Sequence, residues 1–275
     1  MPVRKDGTGK RWVEMEYLVP GTPEEVWQAM ATGPGYTAWF AQATIEERVG
    51  GALRFGFGAD MISSGYVTFW EPPHRFGYVE TEWNADAPPV ATEIVIASRS
   101  GGQCVVRMVH SLFASTDNWD DQLESFEGGW PAFFEVLRIY LRHFAGQKGA
   151  CSGAMASIQG DQKAIWSQLT EALGIAGANV GEHRAAQSGP EKFSGVVERI
   201  HQDGRQRWVL LRLDGPGGVA IAGTCGMGEH VNVSLSLFFY GSDAAERAAA
   251  SEGPWREWLN GHFPSPAGDG EAKAQ

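Results

Sequence analysis

The sequence predicts an α+β protein of two tandem units, each a curved antiparallel sheet wrapped around a long C-terminal helix. Three observations carry this. First, the chain repeats itself. Gly21-Thr-Pro-Glu-Glu-Val-Trp-Gln-Ala-Met returns in outline as Gly160-Asp-Gln-Lys-Ala-Ile-Trp-Ser-Gln-Leu, and Glu127-Gly-Gly-Trp returns as Glu252-Gly-Pro-Trp. The spacings are 139 and 125 residues; a solenoid repeat is roughly 20–50 residues long, so these mark a duplicated domain. Second, strand-like segments follow one another with no helical segment between them, which is the pattern of an antiparallel meander. Third, each unit closes on a helical apolar stripe.

Arg11 to Val19 alternates and reads as a strand. Pro20-Gly-Thr-Pro turns the chain. Thr22 then suits a helix N-cap, Pro23 the first helical position, and Glu24 and Glu25 the positive end of the helix dipole. Val26, Trp27 and Met30 give that short helix its apolar side. Gly33-Pro-Gly breaks it, and Tyr36-Thr-Ala-Trp-Phe begins a second helical piece. Strands follow at Ala52–Phe57, Gly65–Glu71, Phe76–Trp83, Thr92–Ser98 and Val105–Ala114, each stopped by turn residues. Trp130, Phe133, Phe134, Leu137, Tyr140, Leu141 and Phe144 then form the stripe of one amphipathic helix, with Pro131 in its first turn. Gly146 to Gly153 reads as a linker.

The second unit repeats this order in shortened form. It has a short strand, a helix around Trp166, strands near Phe193–Ile200, Arg207–Leu213, Val219–Cys225 and Val231–Phe239, and a helix from Trp255. Tyr36-Thr-Ala-Trp-Phe has no clear counterpart there. The expected bounds are 1–146 for the first unit, 147–264 for the second and 265–275 for a disordered tail rich in Pro, Gly and Ala.

Composition excludes several function classes. Net charge is −11 and the Lys and Arg residues are scattered. Nucleic acid and anionic membranes both require clustered positive charge. The sequence has no apolar run of membrane-spanning length, and its N-terminus has no secretory pattern. Three cysteines without metal-like spacing point to a reduced, cytoplasmic setting. The seven histidines also lack metal-site spacing, and no phosphate-cradling or nucleophile-elbow motif is present. No cofactor and no metal are expected.

A sheet that curls around a helix stripe encloses apolar space, and such space is the usual small-molecule site. The first unit resembles the START-like superfamily (SRPBCC, or Bet v 1-like) with the helix-grip fold, and within it the family named for the activator of the heat-shock chaperone ATPase. The residues that carry the resemblance are Val19-Pro-Gly-Thr-Pro-Glu-Glu-Val-Trp, Ala38-Trp-Phe and Gly50-Gly-Ala-Leu-Arg-Phe. They continue with Gly65-Tyr-Val-Thr-Phe-Trp-Glu-Pro-Pro-His-Arg-Phe, Val109-His-Ser-Leu-Phe and Gly129-Trp-Pro-Ala-Phe-Phe-Glu-Val-Leu. They span nearly all of residues 11–145; the second unit matches only in outline. The resemblance implies a helix-grip fold, a cavity, and a membership of mostly non-enzymatic ligand binders. That membership also includes aromatase/cyclases of polyketide synthesis and co-chaperones.

His110 is the leading polar candidate. It shares an alternating face with Val106, Met108 and Leu112, where an imidazole would orient a ligand or act as acid/base; the alternative is a hydrogen-bonded core histidine. At the 125-residue offset it becomes Leu235, on an apolar face of Val231, Val233, Leu235 and Leu237. The working pocket is therefore expected in the first unit, with the second mainly structural. Trp39, Phe40, Phe69, Trp83, Met108, Trp130, Phe133 and Phe134 are the expected apolar lining, and Trp119, in a polar loop, is a candidate lid. Glu80 and Glu82 are an acid pair if they face inward, but the solvated face is the favoured reading, since unpaired buried carboxylates are costly. The expected function is binding of a small hydrophobic, aromatic molecule. The alternatives are a cyclase or lyase using His110, and a co-chaperone-like interaction module that meets a protein partner or a second copy.

Overall fold

The structure is a computed structural model describing residues 3–57, 61–83, 87–114, 118–186, 189–215 and 217–264. The expected tail, 265–275, lies outside the described residues. The chain divides into two compact units, Met1–Ala150 and Cys151–Gln275.

The first unit opens with β1 (Arg4–Lys5) and β2 (Lys10–Pro20), followed by α1 (Pro23–Ala31) and α2 (Gly33–Thr37). Then come β3 (Gln42–Ile45), β4 (Ala52–Gly56), β5 (Ile62–Glu71), β6 (Arg75–Glu80), β7 (Val90–Arg99), β8 (Gln103–Phe113) and the long helix α3 (Asp120–His143). The sheet order is β1-β2-β8-β7-β6-β5-β4-β3. Strands β3 to β8 are therefore a meander, and β2 closes onto β8. Helix α3 lies against β2, β8 and α1, with Phe134 stacked on Tyr17 of β2 at 3.7 Å.

Local chemistry sets the helix starts. Thr22 accepts from the Glu25 amide, and the Glu25 carboxylate accepts from the Thr22 amide, a reciprocal cap that satisfies two otherwise unpaired donors. Gly33-Pro-Gly does not simply interrupt the helical run. It forms the first turn of α2, with Thr32 as the cap and Pro34 where a missing N–H costs nothing. At Gly35 a Cβ would lie 1.9 Å from the Gln28 carbonyl oxygen, so only glycine lets the two helices meet this closely. The Trp39 indole, just past α2, donates to the Ala29 carbonyl at 2.9 Å and locks the turn to α1.

Helix α3 begins ten residues before the predicted stripe, so Trp119 is its N-cap and Pro131 is interior. The apolar period missed this first half because Leu123 and Phe126 are its only large apolar residues and Gly128-Gly129 interrupts the pattern. A tertiary ion pair holds the helix start instead. Arg11, nearly fully buried, grips Asp120 through two bonds of 2.5 and 2.7 Å, with Lys5 at 3.1 Å.

The second unit comprises β9 (Gly149–Gln159), α4 (Gln162–Ala172), β10 (His183–Ala186), β11 (Phe193–Gln202), β12 (Gln206–Leu213), β13 (Gly218–Met227), β14 (His230–Tyr240) and α5 (Ala244–His262). Its sheet order is β10-β11-β12-β13-β14-β9. The stretch read as a linker is strand from Gly149 onward, and α5 begins well before Trp255, with Pro254 inside it. The duplication extends to a defect. Both sheets slip register by one residue at the same place, between Val67 and Phe69 in the first and between Val197 and Arg199 in the second.

Candidate functional site: a polar track inside the first unit

The register places five inward-facing polar side chains on adjacent strands. Ser63 (β5) lies beside Glu80 (β6), Tyr78 of β6 is opposite Thr92 (β7), and Thr92 is opposite His110 (β8). All lie on the concave face, and Ser63, Tyr78, Thr92 and His110 are buried. Tyr36 reaches the same region from α2 and Trp130 from α3. The Ser63 hydroxyl donates to Glu80 at 2.5 Å. The Trp130 indole N–H donates to His110 Nε2 at 2.6 Å, and His110 Nδ1 lies 2.8 Å from the Thr92 hydroxyl. An indole nitrogen can only donate, so Nε2 must carry the lone pair. The imidazole is then neutral with its proton on Nδ1, donating to Thr92. Burial agrees, driving the His110 pKa down to about 3.

Burial also raises the Glu80 pKa, opposed by the Ser63 hydroxyl. The residue as a whole is half-buried, but its carboxyl head points to the enclosed side. This corrects the solvated-face reading for Glu80. Glu82 is exposed as read, because the strand ends at Glu80 and the next two amides turn onto the Ser64 carbonyl. Burial pushes both the Tyr36 and Tyr78 phenols upward, and the Glu80 charge adds to each rise. The Tyr78 hydroxyl is near enough to Tyr36 to oppose its shift without meeting hydrogen-bond geometry. Tyr36 is 0% exposed, and its hydroxyl has no hydrogen-bond partner among the described residues.

Five of the residues picked out from sequence form one aromatic cluster above this track. Trp39 contacts Trp130 and Phe134 with centroids 6.0 and 5.6 Å apart, Phe40 stacks on Trp130 at 4.6 Å, and Phe133 meets Phe40 edge-on at 5.0 Å. Met108 is buried on the His110 face. Trp83 and Trp119 pack on each other at 5.8 Å, and the Trp83 indole donates to the Pro88 carbonyl. Trp119 therefore caps α3 rather than riding on a free loop; Ser115–Asp117 of that loop lie outside the described residues. Phe69 is on the opposite face of the sheet, over Gly77 and under the Arg75 guanidinium at 3.7 Å, because the register slip turns it outward. An open groove of about 370 Å³ lies elsewhere on this unit, between α1, α2 and the C-terminal end of α3, and none of the candidate site residues lines it.

Sequence reasoning missed Tyr36, Ser63 and Thr92. The signal that finds them is cross-strand register, which no single segment carries. The second unit makes this plain. Matching the two register slips, Ser63 corresponds to Phe193, Glu80 to Leu213, Tyr78 to Leu211, Thr92 to Ala220 and His110 to Leu237. The counterpart of His110 is thus Leu237, not the Leu235 that the sequence offset selects, because the stretch from this strand to the helix tryptophan is two residues shorter in the second unit. Every polar position on the track has become apolar. The repeat's tryptophan, Trp255, remains buried, but its indole nitrogen has no partner among the described residues.

Among the described residues no group of His, Cys, Asp and Glu side chains could hold a metal ion, and no helix is long and apolar enough to cross a membrane. Cys104, buried, and Cys225, half-buried, are free thiols.

No curated protein matches the chain. Similar solved structures include CalU16 from Micromonospora echinospora, 20% identical over 52% of this chain and 83% of that one, with a TM-score of 0.41. Protein MLL2253 from Mesorhizobium loti is 23% identical over 49% and 98%, with a TM-score of 0.43. The di-domain ARO/CYC BexL from the BE-7585A biosynthetic pathway is 13% identical over 91% and 92%, with a TM-score of 0.44. Residues 20–142 match the model of the family described as activator of Hsp90 ATPase homolog 1-like protein. That match spans most of the first unit and less than half of the whole chain, and it makes the first unit similar to that family.

Proposed function

We propose that the first unit binds a small hydrophobic, aromatic molecule between the concave face of its sheet and α3, and that the second unit is mainly structural. The observation that carries this reading is the polar track. A buried polar group costs stability unless it is fully paired. The second unit fills the same positions with Phe193, Leu213, Leu211, Ala220 and Leu237, so the fold itself does not need polar groups there. Their presence in the first unit suits recognition better than packing.

The aromatic cluster supplies the way in. Phe57, 44% exposed, meets Phe40 at 5.5 Å; half-buried Phe40 stacks on Trp130, and Trp130 holds His110. An incoming ring displaces Phe40 and inherits its stacking on Trp130. Apolar burial, roughly 25 cal/mol per Å², drives the association. His110 does not meet the ligand as a free anchor, since Trp130 and Thr92 occupy its two nitrogens; it orients Trp130. The same occupancy disfavours the cyclase reading, which needs a free imidazole nitrogen near neutral pH.

The test is a titration of the full chain with naphthalene, followed by tryptophan fluorescence and by native mass spectrometry. Saturable binding of one molecule, weakened at least tenfold when Phe193's residue type is installed at its counterpart (Ser63→Phe), is expected. No saturable binding to the wild-type chain sinks the reading.

A further inference from the structure

We infer that the bound molecule is an uncharged aromatic ketone or phenol whose oxygen is held by the Tyr36 hydroxyl. This rests on the proposed binding function and names the chemistry of that site. Tyr36 is fully enclosed, packed between Trp39 at 5.4 Å and Phe55 at 5.1 Å, and its O–H has no acceptor among the described residues. It lies on the path in: its ring is 6.1 Å from Phe40, the half-buried ring that separates the exposed Phe57 from the interior. An orphaned hydroxyl in a dry setting is the polar group of highest unmet demand, and an oxygen acceptor relieves it.

The neighbours of Tyr36 decide the ligand's charge. Glu80 is the acidic group of the track, His110 is neutral, and no Lys or Arg belongs to the track. A carboxylate would therefore enter a site with an acid and no counter-charge. An ammonium brings only donors and would leave the Tyr36 proton unpaired. A neutral carbonyl or phenolic oxygen meets both demands. Position also matters. Tyr36 lies in the segment for which the second unit has no counterpart: its chain passes from α4 to β10 without a second helix. The unit that lost the polar track also lacks the element that supplies this hydroxyl.

The experiment is a panel titration of the full-length chain with naphthalene, 2-acetylnaphthalene, 2-naphthol, 2-naphthoate and 2-naphthylmethylamine, for wild type and Tyr36→Phe. Wild type is expected to bind 2-acetylnaphthalene and 2-naphthol about fivefold to tenfold tighter than naphthalene, the value of one net hydrogen bond. In Tyr36→Phe that ratio is expected to fall to about one. The inference is overturned if wild type binds naphthalene and 2-acetylnaphthalene equally, if the ratio survives in Tyr36→Phe, or if the naphthoate or the ammonium is preferred. In those cases naphthalene still binds and the broader reading stands. If no member of the panel binds wild type, the broader reading fails, and this one with it.

Discussion

Trp130 Nε1 lies 2.6 Å from His110 Nε2, with the two ring planes only 12° apart, so the indole donates in plane to the imidazole. That one bond joins the middle of α3 to β8. It also fixes the imidazole tautomer and leaves Thr92 as the acceptor for the other nitrogen. In the second unit Trp255 keeps the tryptophan, a leucine replaces the histidine, and the indole nitrogen has no partner. The two halves of the chain thus provide an internal experiment on what this bond is worth.

Replacing His110 with Leu strands both the indole N–H and the Thr92 hydroxyl. A loss of about 1–3 kcal/mol is expected, read as a lower urea midpoint at constant slope. Adding Trp130→Phe removes the stranded donor, so the double variant is expected to lose less than the sum of the singles. Strict additivity would show that the bond contributes nothing.

His110 also predicts a pH dependence. Its folded pKa, about 3, lies below the ordinary imidazole value of 6.5 because the ring is buried. Between those values the unfolded chain binds the proton and the folded chain does not. The stability contributed by neutral His110 is therefore complete above about pH 6.5 and is lost as pH falls toward 3, at up to about 1.4 kcal/mol per unit. Urea midpoints from pH 7 to 4 should fall more steeply in wild type than in the His110→Leu/Trp130→Phe variant. Parallel curves would contradict the assignment.

Tyr36→Phe removes a buried hydroxyl that has no partner. The unliganded protein is expected to gain up to about 1 kcal/mol, visible as a raised Tm in calorimetry. A clear loss of stability would mean that the hydroxyl is already satisfied.

Asp120→Asn weakens the clamp from Arg11 and Lys5 on the start of α3. The Asp120 pKa is lowered, first through its bond to Arg11, so the clamp holds above the ordinary Asp range and fails as pH drops through the lowered value. Faster amide exchange confined to the first turns of α3 is expected, at neutral pH for the variant and only in acid for wild type. Unchanged exchange would rule out a clamp.

Gly35→Ala places a methyl 1.9 Å from the Gln28 carbonyl oxygen and forces α1 and α2 apart. A loss above about 3 kcal/mol, or failure to fold, is expected on denaturant unfolding.

Local pattern was enough for much of this molecule. Period-2 alternation located β2, β7 and β8 to within two residues, and Thr22-Pro23-Glu24-Glu25 marked the start of α1. Repetition of whole phrases revealed the two units. The aromatic cluster on α3 was legible because a 3.6-residue period puts Trp130, Phe133 and Phe134 on neighbouring positions of one helix.

The sequence by itself determined that the chain is duplicated, that each half is a meander closed by a helix, and that the first half carries an inward histidine. Only the tertiary structure decided what that histidine does. A hydrogen bond depends on which residues lie opposite across strands, and register is set by a one-residue slip at Val67 and by packing of α3, not by any local run. Thr92 and Trp130 meet His110, Ser63 meets Glu80, and Phe69 turns to the outer face for the same reason: side-chain direction in a sheet is a property of the pairing, and pairing is settled between segments far apart in the chain.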